Sequence, residues 1–466
     1  MGDVLQLFAE STASFRFDDG REATAGELVA EGCRVATWLQ QHGVERGDRV
    51  AASLPNGADY IRLLLACAAG GFVAVSVNTR YNKVEATELI GRTHAHTIDL
   101  EGTDWRSCRP IETVAGRDDP FVVFTTSGTT SRPKLVLHRQ SSVADHAHDA
   151  AAGFGYGPDD VVLAVMPFGG TFGLTSLMAA VAGGCRVVVS NYETTFTAAM
   201  IADERVTCVN GSDDMFHRLL EHGADLTSIR LAGYGRFNTS LEGIVDRAEL
   251  AGATLTGLYG MSEVQALYSL RDPSGTPEQR SRPGGTLVSP VAEYRVVDGE
   301  LQLRGPSLFT GYLREGGAEI DTELTTRHFD DGWFRTGDLA EPEGERSFEY
   351  LTRMGDVLRL GGFLVGPAEI EQVLLQLPGV EQAQVVAVDR PDGARPVAYV
   401  IAPTEIDEAA AIEHCGTRLA RYKVPVRVIR IDQFPTTASA NGTKIQKVRL
   451  RAMAEETLIE TPPTNA

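Results

Sequence analysis

Apolar residues recur in two rhythms over the first part of the chain. Leu28, Val35 and Leu39 fall on one side of a helical repeat over Ala25–His42, which stops at the turn Gly43 to Gly47. Arg49–Leu54 then reads as a strand, Ala58–Ala69 as a helix and Phe72–Val77 as a strand. The alternation continues through Val161–Met166, Ser176–Ala182 and Arg186–Ser190. Such a βα succession predicts an α/β fold with parallel-rich sheets flanked by helices. From about Arg282 the texture changes to short strands between turn residues: Tyr294–Val297, Glu300–Arg304 and Phe348–Leu351. A smaller α/β unit starts near Asp356, with a helix at Ala368–Gln376 and strands at Gln384–Val388 and Pro396–Ile401. The pattern therefore divides the chain into a large unit, residues 1–354, and a small one, 355–466, with a Pro- and Thr-rich end from Glu460 that is expected to fray.

Composition narrows the function. A chain of 466 residues, 43% hydrophobic with 48 Gly, suits a globular protein of two or three domains. Its net charge of −20 argues against nucleic acid and anionic membrane surfaces as partners, but a local cationic pocket can still hold an anionic nucleotide. No run approaches the roughly 18 apolar residues of a membrane span. Met1 to Phe15 carries acids and lacks a basic segment before an apolar core, so no signal peptide is expected. Cys33, Cys67, Cys108, Cys185, Cys208 and Cys415 are widely spaced, which indicates neither a zinc site nor a disulfide framework and fits a cytoplasmic setting. The pairs His94-x-His96 and His146-x-His148 have no identifiable third ligand and read as surface residues. Asp118-Asp119, Asp159-Asp160 and Asp330-Asp331 read as solvated turns.

Residues 124–134, Phe-Thr-Thr-Ser-Gly-Thr-Thr-Ser-Arg-Pro-Lys, carry the densest chemistry. Six hydroxyls, one Gly and two cations follow the apolar run Phe121-Val122-Val123-Phe124, which is a strand delivering a donor-rich loop. Backbone N–H groups can turn toward an anion where Gly128 relaxes the steric limits, the hydroxyls add rotatable donors, and Lys134 supplies full charge. The Gly spacing and ending of a Walker A loop are absent. The segment reads as a polyphosphate-binding loop; the ordinary alternative is a polar surface turn.

Four further segments follow it: Tyr259-Gly260-Met261-Ser262-Glu263; Gly332 to Asp338; Arg353-Met354-Gly355-Asp356 with Gly361-Gly362 and Pro367 to Glu371; and Asn441 to Lys447. In this order, from about residue 20 to 455, they resemble the adenylate-forming superfamily of acyl- and aryl-CoA synthetases, peptide-synthetase adenylation domains and luciferases. Ser131 departs from the family's loop, where Gly is usual.

The resemblance implies a multi-subdomain N-terminal domain with a small, mobile C-terminal domain. It also implies an AMP-forming ligase in which a carboxylate attacks the α-phosphorus of ATP, giving an acyl-adenylate and pyrophosphate before transfer to a thiol, most readily CoA. Two anions must meet, so positive charge and preorganised donors do much of the catalysis. Lys444 is then the bridging charge, although in isolation it reads as a solvated lysine near Lys447, Arg449 and Arg451. Thr126, Ser127, Gly128, Thr129 and Thr130 become phosphate-loop donors with Lys134, Thr130 also being assigned a catalytic part. Glu263 becomes the Mg²⁺ ligand, a hard oxygen on a hard cation; alone it reads as a surface or capping group at a helix start. Asp338 is expected to accept from both ribose hydroxyls, Arg353 to reach the ribose, and Tyr259 to stack on adenine beside Gly260, Ser262, Gly235 and Arg236. Gly355 stands at the hinge, where the family often has Asp or Lys, and glycine can absorb a large rotation.

The substrate pocket is expected to involve Phe168, Gly169, Gly170, Ser212, Asp213, Gly233, Tyr234, Arg236 and Met261. Gly169 stands where peptide-synthetase domains place an Asp and many CoA synthetases a His, which argues against an α-amino acid. Gly169-Gly170 either open room beside the acyl group or form a tight helix start. Arg236 is unusual in a loop that lines both pockets, and its planar fork suits a second carboxylate; otherwise it points to solvent or pairs with Asp213 or Asp214. A polar or aromatic acid fits these groups better than a long fatty acid. Open alternatives are a carrier-protein or amine acceptor, including nitrite activation for diazotising an amino-aryl acid. The oligomeric state is open, with a homodimer admitted.

Overall fold

The computed structural model describes residues 3–79, 81, 83–126, 133–237, 241, 243–317, 319–360, 363–390, 393–439 and 442–460; side chains 359, 363–364, 437–439, 442–444 and 459–460 are not described. After a short helix, Val4–Ala9, the helix Ala25–Gln41 starts with a capping box: Thr24 accepts from the Glu27 N–H while the Glu27 carboxylate accepts from the Thr24 N–H. The strands Arg49–Ala52 and Val73–Ser76 are parallel neighbours, joined through the helix Ala58–Gly70. They belong to a six-stranded sheet completed by His96–Thr97, Pro120–Thr125, Leu135–Arg139 and Gly311–Tyr312. Both faces of this sheet are covered, Val50, Ala74 and Val122 on one side and Ala51, Val75 and Val123 on the other. Two-sided burial explains why these strands read as continuous apolar runs.

A second, fourteen-stranded sheet changes character along its width. Ser14–Phe17, Arg186–Val189, Val161–Ala164, Cys208–Ser212, Leu231–Gly235 and Leu255–Met261 run parallel to one another, with Glu22–Thr24 antiparallel to Ser14–Phe17 at the edge. Beyond Leu255–Met261 the pairing becomes antiparallel, through Gln265–Leu270, Gly284–Leu287, Ser347–Arg353, Trp333–Pro342 and Glu300–Arg304 to Glu293–Val297. The short-strand texture after Arg282 is this antiparallel half. The expected α/β class with parallel-rich sheets is found.

Several local expectations are corrected. The helix expected from Ser176 begins at Thr171, capped by Gly170; it is buried all round, so no polar stripe marked its start. His146 is fully buried rather than at the surface, its Nε2 2.7 Å from the Ala266 carbonyl. Asp160 is buried too: Arg230 donates to both its oxygens at 2.7 Å and Thr207 adds a 2.8 Å bond. Asp119 pairs with Arg46 and Asp330 with Arg295. Among the described residues no cluster of three or more His, Cys, Asp or Glu could hold a metal, and no helix is long and apolar enough to cross a membrane.

After Arg353 the chain builds a separate core. Gln382–Val388, Arg395–Ile401 and Arg427–Arg430 form a three-stranded sheet. Val385, Val400 and Ile370 pack on one face, and Val386, Val397 and Leu450 on the other. The hairpin of Thr436–Ser439 and Gly442–Ile445 presents Lys444 opposite Thr437, next to the helix Lys447–Glu460. Lys447 reaches the buried Glu371 at 3.8 Å.

Candidate active site

The donor-rich loop leaves the strand Pro120–Thr125 and returns at Leu135–Arg139, antiparallel to it. Its base is pinched shut: the Thr126 N–H donates to the Lys134 carbonyl at 3.0 Å, and the Lys134 N–H to the Thr126 hydroxyl at 3.1 Å. Arg92 donates to the Pro133 carbonyl at 2.6 Å and so fixes the returning limb. Ser127, Gly128, Thr129 and Thr130 lie outside the described residues, as do Gly361, Gly362 and Asn441; Lys444 is described in its backbone alone.

Glu263 does not begin a helix. It sits in the turn between Leu255–Met261 and Gln265–Leu270, an antiparallel pair whose register shifts between Tyr259 and Met261. Gln265 and Leu267 adopt left-handed backbones, with φ of 68° and 57°, a strained arrangement for side-chain-bearing residues. The turn is clamped from the helix Gln140–Gly153 and the strand before it. Gln265 Nε2 donates to the Ser142 carbonyl at 2.7 Å, and His138 Nε2 lies 2.7 Å from the Ser262 carbonyl. Burial holds the His138 imidazole down at about 4, so it is neutral and donates. Gly260 is required here, because a Cβ would lie 2.5 Å from Ala266 Cα.

The Glu263 carboxylate is buried. Tyr312 donates to Oε1 at 2.8 Å, and Oε2 accepts no hydrogen bond among the described residues, so a hard cation would find one free oxygen. The Lys134 ammonium lies 4.7 Å from the Tyr312 ring centroid and 2.7 Å from His328 Nε2. Burial lowers the Lys134 pKa, Glu263 opposes that shift and Arg353 adds to it.

Asp338 belongs to the strand Trp333–Pro342, directly opposite Arg353. Arg353 Nε is 3.0 Å from Oδ1, and Tyr259 donates to Oδ2 at 2.6 Å. Despite the ion-pair contact, Oδ1 is buried without a hydrogen-bond donor among the described residues, which suits it to a ligand hydroxyl. Burial raises the Asp338 pKa; Arg353 and then the Tyr259 hydroxyl pull the other way without cancelling it. The Tyr259 ring itself is buried edge-on against Phe348 at 5.2 Å. Its polar end braces Asp338, a contact that sequence reasoning did not anticipate.

The residues assigned to the acyl pocket divide in two. Tyr234 is buried and donates to the Ser281 carbonyl at 2.9 Å, while Ser212 caps the helix Asp213–His222. Asp213 is buried as well, accepting from the Phe237 N–H at 2.9 Å and so tying the start of that helix to the segment after Leu231–Gly235. A side chain at Gly233 would collide with Asn210 Oδ1 at 2.4 Å. Phe168 is buried, its N–H bonded to Asn56 Oδ1 at 2.8 Å. Gly170 makes the tight helix start, with its N–H on the Pro167 carbonyl at 2.9 Å. Gly169 differs: a Cβ there would meet nothing closer than the Val77 carbonyl at 3.4 Å, so the backbone does not demand glycine. Met261 is half-buried near the Tyr259 hydroxyl. Half-buried Arg236 has no ion-pair partner among the described residues and does not pair with Asp213 or Asp214.

Arg92, His138, Tyr312 and His328 were not singled out from the sequence. Each acts on a residue far away along the chain, and no local pattern marks such a contact.

The model of the AMP-binding enzyme matches residues 5–104 and 95–313, and that of the AMP-binding enzyme C-terminal domain matches 369–441. The chain belongs to the AMP-binding enzyme family. It is an AMP-forming ligase of the acid–CoA type. It is 30% identical to the 3-[(3aS,4S,7aS)-7a-methyl-1,5-dioxo-octahydro-1H-inden-4-yl]propanoyl:CoA ligase of Mycobacterium tuberculosis, over 93% of this chain and 94% of that protein. It is 28% identical to the 2-succinylbenzoate–CoA ligase of Bacillus licheniformis, over 89% of this chain and 92% of that one. Among solved structures it is similar to o-succinylbenzoate CoA synthetase from Bacillus subtilis in complex with its acyl-adenylate intermediate. The TM-score is 0.84 at 25% identity, covering 97% of this chain and 98% of that one.

Proposed function

We propose that this ligase activates a polar or aromatic carboxylic acid with ATP and Mg²⁺, releases pyrophosphate, and passes the acyl group to the thiol of CoA. The observation that carries the reading is the mutual electrostatic proximity of complementary groups: Lys134 beside Glu263 and Arg353, Glu263 with one oxygen that accepts no hydrogen bond among the described residues, and Asp338 with an acceptor unpaired among them. Asp338 and Arg353 would hold the ribose, Lys134 with Thr126 and residues 127–130 the phosphates, and Glu263 the Mg²⁺. A bound Mg²⁺ would neutralise phosphate charge. Lys444 would bridge the attacking carboxylate and the α-phosphate, where negative charge builds up in the transition state. Gly355 would serve as the pivot between a unit of residues 1–354 and one of 355–466, each with its own core.

Arg236 and Gly169 support the substrate class. A half-buried guanidinium with no ion-pair partner among the described residues can bind a second anionic or polar group, and at Gly169 a larger side chain is absent where the backbone does not demand glycine. A relative named for 2-succinylbenzoate agrees with such an acid. The test is exchange of labelled pyrophosphate into ATP across a panel of acids, followed by AMP release on adding CoA. Acids carrying a second anionic group should be preferred, and Arg236→Met should abolish that preference. Exchange without CoA-dependent AMP release would instead favour another acceptor, and a nitrite arm with an aryl amine tests diazotisation.

A further inference from the structure

The geometry points to His328 as the residue that positions the Lys134 ammonium for the nucleotide phosphates. His328 lies between the short helix Thr322–Thr326 and the strand Phe329–Asp330. Its Nδ1 is 2.9 Å from the Leu324 carbonyl, which can only accept, so the ring proton sits on Nδ1. The Nε2 lone pair is thereby left to accept from Lys134, whose Nζ is 2.7 Å away. Burial, and then the Lys134 charge, lower the imidazole pKa and so favour the neutral ring that this tautomer requires.

The second wall is Tyr312. Its ring packs 5.0 Å from the His328 ring, near perpendicular, and lies 4.7 Å below the ammonium. The Tyr312 hydroxyl is committed to Glu263 Oε1, so the ring cannot turn away without breaking that bond. Lysine has a flexible four-carbon stem and three donors. One donor goes to His328 and two remain for phosphate oxygens, with the stem already ordered before nucleotide arrives. Fixing the side chain in the free protein lowers the entropic cost of binding.

This inference rests on the reading of Lys134 as a phosphate ligand. Two substitutions separate the ends of the imidazole. In His328→Gln the amide oxygen can occupy the place of Nε2 and still accept from Lys134. In His328→Asn the shorter amide can reproduce the Leu324 contact but cannot reach Lys134. ATP affinity is measured by calorimetry with Mg·ATP alone, and KM for ATP by pyrophosphate exchange. His328→Asn should raise the Kd for Mg·ATP and the KM for ATP about tenfold each, the loss expected for a charge-assisted bond, with a smaller change in kcat. His328→Gln should stay within about twofold of wild type. Adding His328→Asn to Lys134→Met should cause no further loss, because nothing is left to position.

The reverse order, Asn like wild type and Gln impaired, would overturn the proposal by assigning the ring to Leu324 alone. So would full additivity with Lys134→Met, or ATP binding indifferent to Lys134→Met. If His328→Asn loses its thermal transition, His328→Met replaces it as an apolar side chain of similar reach, with the same expectation. The expected calorimetric pattern without pyrophosphate exchange on any acid would leave the positioning intact and sink the ligase reading.

Discussion

Asp338 and Arg353 face each other across adjacent antiparallel strands, and the arginine reaches back with its Nε 3.0 Å from the carboxylate. The same arginine begins the turn that leaves the large unit: its carbonyl accepts from the N–H groups of Asp356 and Val357 at 2.9 and 3.0 Å. One residue thus grips the proposed ribose site with its side chain and the proposed pivot with its backbone.

Arg353→Met should shift the acid limb of kcat/KM for ATP to higher pH. Burial already raises the Asp338 pKa and Arg353 opposes that rise, so removing the guanidinium raises it further. The carboxylate accepts from ribose hydroxyls best when ionised, and in the variant that form is lost earlier as pH falls. The nucleotide's own titration is common to both proteins. Coincident limbs in paired pH profiles would count against this assignment of Asp338.

Lys444→Ala should slow pyrophosphate exchange on the order of a hundredfold or more while Mg·ATP still binds, because charge is lost mainly from the transition state. Calorimetry beside exchange kinetics makes the distinction. A parallel loss of ATP affinity would give this lysine a binding role only.

Gly355 has no left-handed backbone and open space where a Cβ would stand. Gly355→Val should therefore leave the melting temperature and the adenylation step close to wild type, and slow thioester formation, the step for which the proposed pivot would reorient the small unit. Single-turnover rates for each half-reaction test this. Equal slowing of both steps would argue against a pivot here.

Asp160→Asn should destabilise the large unit by about 2 kcal/mol at neutral pH, a figure reduced because Arg230 is partly exposed. Burial works against ionisation of Asp160, but bonds from Arg230, Thr207 and the Gly157 N–H overcome it and bring the carboxyl to about 2 from 3.8. That stabilisation is complete above pH 3.8 and fades as pH falls toward 2. Melting curves of the variant should be flatter than wild type in this window. Parallel curves would mean that the Asp160–Arg230 pair contributes little.

Glu263 shows why part of the site stayed hidden in the sequence. The segment Tyr259 to Glu263 was recognisable, yet it lies on a bulged hairpin instead of a helix start, held by His138 and Gln265. Asp160 likewise looked like a turn residue until Arg230, far along the chain, was brought against it.

What the chain alone determined was periodic or contiguous: the βα alternation, the hydroxyl-rich loop, the ordered motifs and the separate small unit. Those features depend on neighbours within a few residues, whose geometry follows from backbone sterics and side-chain spacing. Only the tertiary structure decided which partners the polar groups take: Tyr259 on Asp338, Tyr312 on Glu263, His328 on Lys134. Strand order sets those meetings, and it is chosen by burial over the whole molecule, which no local stretch of sequence records.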